Sequence, residues 1–217
     1  AAALAEIGRR LADTLIAKRR GGVEVNLLYD SVGSLYTPSV FFDRLRDHGV
    51  RVVEFNPLNP LQAKNGWAIN HRDHRKLIVV DGKTAFTGGI NVSDVYSSGS
   101  FSHTHSSPPH GKAPWRDTSV RIEGPAAADF QRLFLSHWQA QHGPAFSTDR
   151  YFPTLSPQGE QIVRVLGNNS DEGESDTYVT LVSAITNAEH SIHLTAAYFV
   201  PRPAFTEALQ DAAERGR

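Results

Sequence analysis

From Leu77 to Gly89 the chain reads Leu-Ile-Val-Val-Asp-Gly-Lys-Thr-Ala-Phe-Thr-Gly-Gly, two short apolar runs separated by Asp81-Gly82. Asp-Gly between such runs is a strong hairpin signal, because both residues tolerate the positive φ of the tight turn. The spacing predicts strands over 75–80 and 84–87. Side chains alternate across a strand, so His74, Lys76, Ile78 and Val80 share one face, while Arg75, Leu77, Val79 and Asp81 share the other. His74 and Lys76 are therefore neighbours on one surface and can meet the same anion.

The flanking segments predict a layered α/β fold. Leu4, Ile7, Leu11 and Leu15 recur at helical spacing over 3–19, and Gly21-Gly22 ends that helix. Val23–Tyr29 and Arg51–Phe55 read as strands around a helix at 38–47. A strand at 118–122 leads through Gly124-Pro125 into a helix over about 125–141, with Pro125 opening it. The order predicts a mixed β-sheet flanked by helices. Residues 56–70 and 97–114 read as loops, and 143–160, interrupted by Pro144, Pro153, Pro157 and Gly159, as a connector.

The tail, Ala204 to Arg217, resembles a second copy of the first helix, preceded by a strand over 191–200. Superposing Arg215 on Arg20 sets an offset of 195 residues. The expected organisation is a first repeat over 1–142 lacking its first strand, a connector over 143–175, and the start of a second, truncated repeat over 176–217. The opening Ala-Ala-Ala and the lack of methionine mark a processed product or a window on a longer chain.

Composition narrows the function classes. Lys+Arg (22) and Asp+Glu (23) nearly balance, so no global field draws the chain to nucleic acid or anionic lipid. Anion binding must come from a local site. With no cysteine, disulfides, thiolate metal sites and cysteine nucleophiles are excluded. No run approaches the roughly 20 apolar residues of a spanning helix, so any membrane contact is expected to be peripheral or supplied by parts absent from this sequence.

Chemistry gathers in one spacing, HxK(x)4D(x)6GGxN, carried by His74, Lys76, Asp81, Gly88, Gly89 and Asn91. A histidine can attack phosphorus and split a phosphodiester exchange into two steps through a covalent intermediate. The leaving alkoxide needs a general acid, most simply another histidine. Lysine and asparagine donors stabilise charge on the non-bridging oxygens, and adjacent glycines let backbone approach closely. Asp81, in the opposite phase at the turn, reads as the residue that fixes the hairpin. Singly, each is an ordinary strand, turn or loop residue; the joint spacing carries the reading. His71 shapes a loop. His103, His105 and His110 lack a regular frame and a fourth ligand, so they read as a solvated loop and no metal is expected. Trp115-Arg116-Asp117, Phe134 and Trp138 read as packing, and Asp171–Asp176 as a solvated linker with Asp176 a helix cap.

This spacing resembles the HKD signature of the phospholipase D superfamily. Leu28–Ser34, Asn70–Lys76, Gly88–Ser93, Trp115–Thr118 and Ala197–Pro201 further resemble its bacterial cardiolipin synthase branch. The resemblance implies two HKD repeats forming one site at a pseudo-twofold interface, one histidine acting as nucleophile and the other as acid. It implies transfer of a phosphatidyl group between phospholipids, with a phosphatidylglycerol-like donor, no cofactor, and peripheral membrane contact on the cytoplasmic side. It places His74, Lys76 and Asp81 in the catalytic set and Lys76, Asn91, Gly88 and Gly89 at the substrate phosphate. The chain departs from the pattern in carrying one HKD. The 195-residue offset puts the partner histidine beyond Arg217, so a second repeat or a second copy must complete the site. Competing readings are a phospholipase D or nuclease phosphodiesterase working as a dimer, and an inactive fragment binding anionic lipid. The charge balance disfavours nucleic acid.

Overall fold

The computed structural model describes residues 6–58, 72–92, 117–146, 150–167, 175–196 and 198–216. The chain divides into two compact units, residues 1–163 and 164–217. In the first, helix α1 (Glu6–Arg20) leads into strand β1 (Asn26–Asp30), helix α2 (Ser39–Asp47) and strand β2 (Arg51–Phe55). β1 and β2 pair in parallel, Leu28 opposite Val53, as a crossover through a helix requires. Ala12 and Ile16 of α1 meet Leu45 of α2 and Val50, with Leu27 and Val52 packed against them. Leu45 is fully buried, a gain of about 1.5–3 kcal/mol over an exposed leucine. The guanidinium of Arg19 donates to the carbonyl of Gly49 (2.9 Å), tying the end of α1 to the turn after α2.

The hairpin follows as strand β3 (Leu77–Val80) and strand β4 (Thr84–Gly88), joined in antiparallel register to strand β5 (Ser119–Glu123). Parallel and antiparallel pairings thus occur as expected for the α/β class, among the described residues in two small sheets, β1-β2 and β3-β4-β5. β3 begins at Leu77, two residues later than the alternation suggests, because residues 72–76 spend their polar groups on other partners. The turn is closed by Lys83 N–H donating to the Val80 carbonyl (3.0 Å), with Asp81 and Gly82 both at positive φ (53° and 64°).

Gly82 faces a second constraint, because a Cβ there would collide with the carbonyl oxygen of Tyr151 and with Pro153. Gly82→Ala is expected to cost at least about 1–2 kcal/mol from the left-handed backbone alone. Urea unfolding would register this as a lower midpoint, and an unchanged midpoint would contradict it.

Helix α3 (Ala126–Ala140) covers one face of the antiparallel sheet. Pro125 already has helical φ and ψ (−55°, −33°) and follows Gly124 at φ 92°, so the chain turns sharply into the helix. Its buried residues are Ala127, Phe130, Gln131, Leu135 and Trp138, and Ala85 of β4 is fully buried as well. The opposite sheet face is open: Ile78 and Val80 are 58% and 45% exposed.

In the second unit, helix α4 (Asp176–Thr186) and helix α5 (Pro203–Glu214) pack through Ile185, Phe205, Ala208 and Ala212. Ser175, rather than Asp176, caps α4: its hydroxyl accepts the Tyr178 N–H (3.4 Å), and Asp176 is the first helical residue. The strand expected over 191–200 does not form among the described residues. A strand needs a neighbour for its backbone groups, and none pairs with it among the described residues. The expected loop at 97–114, including His103, His105 and His110, lies outside the described residues. So do His71, Asn70, Trp115, Arg116 and the acidic run before Ser175.

Candidate active site

His74 is exposed and sits between residues held from three directions. Arg72 Nη1 donates to the Ser31 hydroxyl (2.8 Å) and to the Asn56 carbonyl (2.9 Å). Ser31, itself buried, donates to the same carbonyl (2.7 Å), so the ends of β1 and β2 form one polar seat for Arg72. Asn56 takes a left-handed φ of 48°, and its N–H donates to Gln141 Oε1 (3.0 Å). A buried hydroxyl and carbonyl at strand ends need such partners, since an unmet polar group costs about 1–3 kcal/mol.

Asp73 is held by Asp30 at the end of β1. Asp30 Oδ2 accepts the Asp73 N–H (3.1 Å) and Oδ1 accepts the Gly33 N–H (2.8 Å). Asp73 in turn caps the next turn of chain: its Oδ1 accepts the Arg75 N–H (2.9 Å) and lies 3.4 Å from the Arg75 guanidinium. Arg75 reaches on to His137 of α3, Nη1 to Nδ1, at 3.2 Å. A guanidinium only donates, so in this contact Nδ1 accepts; the same nitrogen lies 3.7 Å from Asp73 Oδ2. The Asp73 and His137 side chains are 12% and 16% exposed and Arg75 25%. With Leu28, Leu77, Leu133 and Phe134 they line a small cavity of about 50 Å³.

Lys76 turns back along the chain, its ammonium donating to the His74 carbonyl at 2.6 Å. An ammonium carries three donors, so one fixes the side chain and two are left to act on an anion. The hairpin then returns Gly88 and Gly89 to this end, because Thr87 lies opposite Leu77. A Cβ on Gly88 would strike the Thr118 carbonyl and Ser119, and one on Gly89 the Asp117 carboxylate. The close approach that this glycine pair permits is therefore to the start of β5. Gly89 N–H also donates to the Thr118 carbonyl (3.2 Å). Asn91 is exposed just beyond.

Asp81 lies at the other end of the hairpin. The four residues of β3, at roughly 3.3 Å each, hold it more than about 10 Å from Lys76. Its exposed carboxylate and positive φ give it a conformational place in the turn. Two phenols near β1 keep their protons at neutral pH. Tyr29 is pushed up by burial and then by the Glu54 carboxylate, and Tyr151 chiefly by burial. Both act as neutral hydrogen-bonding groups.

Asp30, Ser31, Arg72, Asp73, Arg75 and His137 are site residues to which the spacing alone assigns no role. His137 did leave a trace, since it falls on the apolar stripe of Phe130, Leu133, Phe134 and Trp138, where a polar residue needs a partner. Among the described residues no cluster of His, Asp and Glu is suited to a metal ion, and no helix is long and apolar enough to cross a membrane.

The family model for the cardiolipin synthase, PLD-like domain matches residues 3–102. The major cardiolipin synthase ClsA of Bacillus subtilis is 34% identical over 215 residues, covering 97% of this chain and 42% of that protein. Cardiolipin synthase A of Pseudomonas syringae is 34% identical over 220 residues (97% and 41%), and that of Pseudomonas putida 35% over 217 (97% and 41%). The chain thus spans about two fifths of the length of the curated relatives it matches.

Proposed function

Because the chain belongs to the phospholipase D superfamily, in its cardiolipin synthase-like branch, we propose that it supplies the nucleophilic half of a phosphatidyltransferase site. His74 attacks the phosphorus of a phosphatidylglycerol-like donor. A P–N bond to the imidazole forms as the P–O bond to the leaving glycerol breaks. The departing alkoxide takes a proton from a second histidine, contributed by another HKD half on the same polypeptide or on a second copy. In the return step a hydroxyl of the acceptor phospholipid attacks phosphorus, the P–N bond breaks, and the second histidine accepts the hydroxyl proton.

Lys76 and Asn91 hold the non-bridging oxygens, Gly88 and Gly89 admit the close packing of this end of the hairpin, and Asp81 shapes the turn. No metal or cofactor enters the scheme. The organisation that suits it is a first repeat over 1–142, a connector over 143–175 and the start of a second repeat over 176–217. The enzyme works in peripheral contact with the cytoplasmic face of the membrane. The observation that carries this reading is an exposed His74 with the Lys76 ammonium seated on its own carbonyl at 2.6 Å.

Trapping the intermediate tests it. The full-length gene product, incubated with phosphatidylglycerol vesicles and quenched in alkali, is expected to carry an acid-labile phosphoramidate that mass spectrometry maps to His74. Lys76→Met is expected to slow its formation on the order of 10²–10³-fold, the usual loss for one donor to developing charge. Labelling elsewhere, or cleavage of DNA without lipid exchange, would refute the assignment.

A further inference from the structure

The side-chain anchors beside His74 fall on its neighbours, and positions 73, 75 and 77 face inward. Arg75 and Leu77 point toward α3 and line the small cavity with Asp73, His137, Leu133 and Phe134. His74 and Ile78 lie exposed on the alternate positions. Asp73 is the hub of the inward set. Its N–H is held by Asp30, its carboxylate holds the N–H and guanidinium of Arg75, and Arg75 is held by His137, 62 positions further along the chain. The Asp73 carboxylate, largely shielded from water, is stabilised by the partly buried Arg75 guanidinium, since an unpaired buried charge is disfavoured. That requirement pins the backbone on both sides of His74 through groups other than its ring.

We propose that Asp73 and His137 are positioning residues for His74: linked through Arg75, they clamp residues 73–75 against β1 and α3, so that the imidazole is presented to substrate in one orientation. The proposal deepens the transferase reading and rests on it for its kinetic arm alone. Misplacing a reacting group by about 1 Å can cost roughly 10²-fold in rate. Substrate binding by Lys76 and Asn91 uses separate side chains.

The test uses the full-length gene product and phosphatidylglycerol vesicles. Asp73→Ala and His137→Ala are expected to lower kcat by about 10²-fold per folded molecule, with KM within about twofold. His137→Asn, whose Oδ1 can stand where Nδ1 accepts from Arg75, is expected to recover most of the rate. Hydrogen exchange read by mass spectrometry gives an arm independent of turnover. Protection of the peptide spanning 72–76 is expected to fall at least tenfold in both alanine variants and to return in His137→Asn. Activity lost only in proportion to folded protein, a change confined to KM, or no rescue by asparagine would overturn the proposal. Should Asp73→Ala fail to fold, the His137 pair decides the matter. If the unsubstituted protein moves no lipid, the transferase reading falls and the exchange arm still decides the clamp.

Discussion

His74→Ala in the full-length gene product is expected to abolish phosphatidyl transfer, with kcat down by on the order of 10⁴-fold or more, as when a covalent nucleophile is removed elsewhere. The reason is chemical. No described neighbour within the His74–Lys76 segment is placed to form the same P–N bond, because the Lys76 side chain is fixed on the His74 carbonyl. Stability is expected to change little, since the ring is exposed and surface substitutions usually stay within about 0.5 kcal/mol. Product lipids read by mass spectrometry, with thermal melting run beside them, check both halves. Lipid product at the unsubstituted rate, or a melting point that falls with the activity, would refute the assignment.

Trp138→Ala is expected to cause the largest loss of stability. Trp138 is fully buried, its Nε1 donates to the Pro144 carbonyl (2.9 Å), and its ring lies 5.7 Å from that of Phe134 and 5.2 Å from that of Phe146. Truncating such a tryptophan costs about 3–5 kcal/mol, part of it the cavity left behind. For a chain of this size that corresponds to a fall in melting temperature on the order of 10 °C. The neighbouring residue, His137, anchors Arg75, so loosening α3 is also expected to loosen the clamp on His74. Calorimetry and denaturant unfolding read the first effect, and a loss below about 1 kcal/mol would show that the helix is not held as described.

The hairpin was legible residue by residue. Asp81-Gly82 between apolar runs demanded a turn with two positive φ values, and that turn is present. Arg51–Phe55 and the helix after Pro125 were equally plain from apolar spacing and local punctuation. Two local expectations failed for non-local reasons. The stretch 191–200 has strand-like residues but no described partner to pair with. The strand after His74 is expected from residue 75, yet β3 starts at Leu77, because Asp73 and Arg75 satisfy their groups on Asp30 and His137.

What amino-acid order determined alone was the chemistry: an imidazole and an ammonium two residues apart, ahead of a tight turn and a glycine pair. Such features are set by spacing and backbone preference within a few residues, and they can be read without coordinates. Tertiary structure alone decided how that histidine is held. Asp30 lies 43 positions before Asp73, and His137 lies 62 after Arg75. No periodicity links groups so far apart. Only the packing of β1 and α3 around the hairpin brings them within hydrogen-bonding reach.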